Sequence, residues 1–207
     1  MPDWSFETEA RQAGHTIIAG IDEAGRGPWA GPVVAGAVVL DPETIPDDLR
    51  RGLDDSKKLK PAAREMLFDA LRPVARIGVG LAQVDEIDDI NILQATLKAM
   101  ARAVDDLGPP PPDFALVDGN KAPVLACSVQ CVVKGDGLSL SIAAASIIAK
   151  VSRDRIMAEL DARHPGYGWA HNAGYGTREH QDALTRVGVT PEHRKSYAPI
   201  RKILSPE

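Results

Sequence analysis

The 207-residue sequence predicts a mixed α/β fold, a sheet with helices packed on it and a helical C-terminal part. Three observations predict it. Apolar runs with strand character come first, helical and strand-like segments then alternate, and only short helical patterns remain after Thr177. Aromatic content is low, so Val, Ile, Leu and Ala must build the core.

Residues 16–22 read as the first strand and 33–40 as the second. A third apolar run, 75–82, completes a meander. Between the second and third runs, Pro61 opens a helix over 61–71, because proline suits a first helical turn. Residues 91–104 carry Ile92, Leu93, Leu97, Met100 and Val104 at helical spacing. The prolines at 109–112 suit neither helix nor central strand and make a stiff connector. Residues 114–117 form a short strand ending at Asp118-Gly119-Asn120, and 129–133 another ending at Lys134-Gly135-Asp136-Gly137. Residues 141–151 are Ala-rich without Gly or Pro, which reads as a buried helix that packs closely. Gly188 and Pro191 break the tail from Thr177 into shorter helices.

No apolar run approaches the roughly 20 residues of a membrane span. The first nine residues are acidic and lack a basic-then-apolar leader, so a cytoplasmic location is expected. Cys127 and Cys131 would share a strand face about 13 Å apart, too far for a disulfide. No Cys or His pair at zinc-finger spacing accompanies them, and they read as small buried apolar residues. Net charge is −5, but residues 150–207 carry 10 Lys/Arg against 7 Asp/Glu, a net +3. A basic C-terminal part beside an acidic N-terminal part could hold a polyanion near clustered carboxylates.

Asp22 and Glu23 end the first strand run, and Gly25-Arg26-Gly27 follows. Adjacent acids repel unless they are solvated or neutralised by a cation. Glycines flanking Arg26 let the backbone approach a ligand and present its N–H groups. Asp118 and Asp136 also follow strand-like runs, although Asp-Gly by itself equally reads as a turn. If these strands are neighbours, four carboxylates meet at one sheet edge. Two Mg²⁺ or Mn²⁺ ions about 3.5–4 Å apart would neutralise them and suit in-line displacement at phosphorus. Such hard cations prefer oxygen ligands, and no Cys or His cluster competes. A dinucleotide site at Gly25-Arg26-Gly27 would need a helix straight after the glycines, and Pro28 followed by a strand-like run denies it.

Seven ordered segments carry a family resemblance: residues 22–28, 53–59, 90–96, 117–120, 134–136, 142–151 and 174–177. In these segments the chain resembles bacterial ribonuclease HII. The resemblance implies an RNase H-like mixed sheet flanked by helices with a C-terminal helical extension. It implies one catalytic domain over 1–207, with about 16–160 as core and about 161–207 as a helical part contacting substrate. It implies an endonuclease that cuts the RNA strand of RNA–DNA hybrids and the 5′ side of single ribonucleotides in duplex DNA. The metal-binding acids carry onto Asp22, Glu23, Asp118 and Asp136, and the Gly-Arg-Gly turn onto Gly25, Arg26 and Gly27. The substrate-sensing tyrosine looks like Tyr175.

A selective site needs polar groups aimed at the 2′-hydroxyl, and the glycine-flanked turn can supply backbone ones. Arg26 can hold an adjacent phosphate with its forked donors. Lys57 and Lys58 could contact substrate phosphates or belong to a solvated turn. Lys150, Arg153 and Arg155 could do the same or solvate a helix end. His171, His180 and His193 read as surface or packing residues, and none is made a base. Nothing demands a partner protein, so a monomer is expected. Ribonuclease HIII would carry a further N-terminal domain and usually Lys in place of Arg26. A non-catalytic hybrid-binding module would be expected to lack a carboxylate.

Overall fold

The computed structural model describes residues 1–205. Five strands form one sheet: β1 (Ile18–Ala24), β2 (Val33–Val39), β3 (Arg76–Ala82), β4 (Phe114–Asp118) and β5 (Ser128–Val132). Their spatial order is β3-β2-β1-β4-β5. The first three pair antiparallel as the expected meander, and β4 and β5 add in parallel on the far side of β1. The first strand runs two residues past its expected end, so Asp22 and Glu23 lie inside it.

Central position explains the composition of β1 and β2. Both are covered on both faces and nearly continuous in buried apolar residues. One face packs on α4 (Val84–Asp106) through Ala19, Ile21, Ala35, Ala95 and Ala99. The other packs on α5 (Leu140–Arg163), where Val38 meets Ala144, Ile147 and Ile148. A methyl at Gly20 would lie 2.1 Å from the Ser141 carbonyl carbon, so glycine there lets α5 press directly on the strand.

Several expected elements are longer than their patterns suggested. The helix expected at 91–104 is the second half of α4. Asn91 sits at φ 68° and accepts hydrogen bonds from the Leu93 and Gln94 amides, so it caps that half at a kink. The helix expected at 141–151 continues to Arg163 because Met157 and Leu160 extend its buried stripe. The helix expected at 61–71 is α3 (Pro61–Leu71). Two short helices, α1 (Ser5–Gln12) and α2 (Asp47–Gly52), lie outside the expected elements and bury only one or two residues each. The tail holds α6 (Trp169–Asn172), α7 (Arg178–Val187) and α8 (Ala198–Leu204). Cys127, just before β5, and Cys131, within it, are half-buried, not buried, because β5 is an edge strand with one neighbour. No described helix is long and apolar enough to cross a membrane.

Candidate active site

The parallel pairing of β1 with β4 sets Ile21 beside Val117, so Asp22 and Asp118 emerge together where that pairing stops. Strand β5 runs parallel beside β4, and the chain then turns through Lys134 at φ 60° into a 3₁₀ turn holding Asp136. Carboxylate oxygens of Asp22, Asp118 and Asp136 all lie within 4.8 Å of one another. Two like charges at about 4 Å repel by about 4 kcal/mol near a protein surface. Backbone amides offset part of this: Glu23 N–H donates to Asp22 at 2.7 Å and Gly135 N–H to Asp118 at 2.7 Å.

Burial, with Glu23 and Asp118 adding repulsion, holds the Asp22 carboxyl well above the usual carboxylate range. Burial and the charges of Asp118 and Asp55 raise Asp136 as well. Lys57 answers them, its Nζ 3.4 Å from Asp136 and 4.0 Å from Asp55. Burial works against its charge, yet Asp22, Asp136 and Asp55 together raise the pKa of its ammonium. The donor set fits a hard divalent cation: three converging carboxylates, two of them buried, supply only oxygen ligands.

Of the four expected acids, three converge. Glu23 is on the same strand as Asp22, and successive side chains leave a strand on opposite faces. Its Oε1 lies 3.3 Å from Arg26 Nη1. Glu23 still borders the same cavity of about 440 Å³, together with Asp22, Asp118, Gly25, Lys57 and Tyr175. Its pKa is raised by burial and by Asp118, against the pull of Arg26.

The Gly25-Arg26-Gly27 turn is braced by two arginines that the sequence did not single out for that role. Arg194 is fully buried and donates to the carbonyls of Gly25 at 2.6 Å, Arg26 at 3.0 Å and Gly31 at 2.8 Å. Arg153, expected on a phosphate or a solvated helix end, is 1% exposed. It donates to the carbonyls of Pro32 at 2.9 Å, Ala30 at 3.2 Å and Ala173 at 2.9 Å. The Arg153 bonds tie residues 30–32, just after the turn, to Ala173 in the loop that carries Tyr175. Trp29 strengthens the tie, its amide donating to the Gly174 carbonyl at 2.8 Å. A methyl built on Gly27 would meet the Tyr175 ring at 3.2 Å, so the tyrosine folds back beside the turn across about 150 residues.

The remaining expected cations part ways. Lys58 is exposed and pairs with Asp54 at 3.1 Å, at the rim of a shallower cavity shared with Asp136. Lys150 borders the main cavity and pairs with Asp154 at 2.6 Å. Arg155 lies over Phe68 at 4.4 Å and pairs with Glu65. His171 is exposed, whereas His180 and His193 are fully buried, so packing is the correct reading for that pair and surface is not.

The ribonuclease HII family profile matches residues 19–200. The Ribonuclease HII of Ruegeria pomeroyi is 55% identical over 207 residues, covering all of this chain and 86% of its own length. That of Paramagnetospirillum magneticum is 56% identical over 204 residues, with 99% of each chain covered. The crystal structure of the ribonuclease H2 from Pyrococcus horikoshii superimposes with a TM-score of 0.75 at 31% identity, covering 91% of this chain and 97% of that one. Sheet order, the converging acids at its parallel strand ends and full-length similarity agree, and the chain belongs to the ribonuclease HII family of endonucleases.

Proposed function

We propose that the chain hydrolyses the RNA strand of RNA–DNA hybrids and cuts 5′ to single ribonucleotides in duplex DNA, using two divalent cations, Mg²⁺ or Mn²⁺. The convergence of Asp22, Asp118 and Asp136 within 4.8 Å carries the reading. These three, with Glu23 beside them, would hold the cations. When bound, such ions supply the Lewis acidity that activates water and stabilises a leaving 3′-oxygen, giving 5′-phosphate and 3′-hydroxyl ends.

The chain's own residues supply position and selection. Backbone groups of Gly25, Arg26 and Gly27 read the 2′-hydroxyl, and the arginine braces hold them in place beforehand. Arg26, with half its side chain exposed, holds the neighbouring phosphate. Tyr175, 50% exposed beside Gly27, packs on the sugar after the scissile bond. Lys57 and Lys58 extend the positive rim to flanking phosphates. The helical part from about 161 onward contacts substrate through this loop. The reading takes the chain to act as a monomer in the cytoplasm, where a genomic substrate lies.

Duplex DNA with one embedded ribonucleotide tests the reading. A metal-dependent cut on its 5′ side is expected, and Asp22→Asn or Asp118→Asn should abolish it while hybrid binding survives. Full activity in either variant overturns the assignment. Hybrid binding without any cut would favour a non-catalytic module, and cleavage of long hybrids alone would favour a ribonuclease HIII-like specificity.

A further inference from the structure

Behind Tyr175, two buried imidazoles form a hydrogen-bonded chain whose direction is fixed. The Thr190 amide donates to His193 Nδ1 at 3.0 Å. An amide N–H can only donate, so the proton of neutral His193 lies on Nε2. That nitrogen sits 3.0 Å from His180 Nε2. The Trp169 indole N–H, also a donor only, points at the same His180 Nε2 from 3.2 Å. His180 Nε2 therefore accepts, and its proton lies on Nδ1, 2.9 Å from the Tyr175 carbonyl oxygen.

The two donor-only groups, the Thr190 amide and the Trp169 indole, fix both tautomers. A further proton on His180 Nε2 would face two donors, and one on His193 Nδ1 would face the Thr190 amide, with the Thr190 hydroxyl at 2.9 Å left to accept it. Burial lowers the pKa of both imidazoles, that of His193 to about 4, so the neutral arrangement holds at physiological pH. Its terminus is the carbonyl of a residue whose ring is half exposed, so backbone anchoring rather than packing places that ring. The Tyr175 carbonyl also accepts from Thr177 N–H at 2.8 Å, and the Tyr175 amide donates to Asn172 at 2.9 Å.

We propose that His180 is a positioning residue for cleavage: its Nδ1–H holds the Tyr175 backbone, and through it the Tyr175 ring, against Gly27, while His193 and Trp169 lock the required tautomer. The inference rests on the reading of Tyr175 as the residue that contacts the sugar. Misplacing a contact by about 1 Å can cost up to about 100-fold in rate.

The test is a double-mutant cycle on duplex DNA with one ribonucleotide, with folding of each variant checked by circular dichroism. His180→Leu should lower kcat/KM roughly 10- to 100-fold, and that loss should vanish when Tyr175→Ala is already present. His180→Asn puts an amide N–H near the Nδ1 position and should restore most of the loss. His180→Gln reaches the Nε2 position instead and should not. If His180→Leu does not fold, His180→Gln takes its place in the cycle. An undiminished loss from the His180 change in the Tyr175→Ala background overturns the inference alone, as does equal rescue by Asn and Gln. Unchanged cleavage by Tyr175→Ala overturns the reading of Tyr175 and the inference together.

Discussion

Gly25→Ala probes the joint on which the candidate site depends. Gly25 sits at φ +97°, outside the comfortable range of an L-residue, and forcing it there costs about 1–2 kcal/mol. The added methyl would also lie 1.9 Å from Arg153 Nε and 2.4 Å from its Cδ. Arg153 is buried and fixed by three carbonyls, so it cannot swing aside without surrendering those bonds. Hydrogen bonds to a charged group contribute about 1.5–3 kcal/mol each. Losing one or two of them brings the expected destabilisation to roughly 3–8 kcal/mol, a large share of the 5–15 kcal/mol typical of a domain. Urea denaturation reads this as a shift of the midpoint at constant slope. Gly119→Ala separates the two causes. Gly119 has nearly the same φ, +96°, with nothing within 4 Å of the added methyl, so it should show the backbone cost alone. Equal losses in the two variants would refute the clash with Arg153 and the bracing role built on it.

Other outcomes follow from the same geometry. Without divalent cations, Asp22→Asn should raise the melting temperature by a few degrees, because it removes a buried member of three crowded carboxylates. Mg²⁺ should then stabilise the parent more than the variant, and the opposite ranking would contradict a cation site at these acids. Acid should weaken the fold through the buried imidazoles. Unfolded His193 takes up a proton near 6.5 and folded His193 near 4, so the unfolded chain binds more protons between these values. Stability therefore falls as pH drops from 6.5 to 4, by at most about 3 kcal/mol from His193. Denaturation at several pH values should show a shallower dependence in His193→Phe, and parallel slopes would refute this. Gly27→Ala brings a methyl to 3.2 Å from an exposed ring that can yield, so it should fold with a loss below about 1 kcal/mol yet cleave more slowly. Unchanged cleavage would argue against contact of Gly27 and Tyr175 with the substrate.

Much of the framework was legible in the sequence. Alternating and continuous apolar runs mark all five strands to within a few residues, because a strand's side chains sort by face at period two. Acids after three of those runs anticipated the carboxylate cluster, since neighbouring parallel strands end together. The helices α1 and α2 escaped notice because each is short and buries only one or two residues, too few to stand out beside the long apolar runs.

Residue types in a pattern determined the family, the acids' places after strand-like runs and the glycine turn, because these depend on local periodicity and short spacing. Tertiary structure alone decided that three acids converge while Glu23 meets Arg26, that Arg153 and Arg194 are buried braces, and that His180 and His193 form a directed chain. A charged or titratable side chain looks the same in sequence whether solvated or buried. Its fate depends on partners brought from far along the chain, such as Gly25 and Arg194, 169 positions apart, and only the folded backbone delivers them.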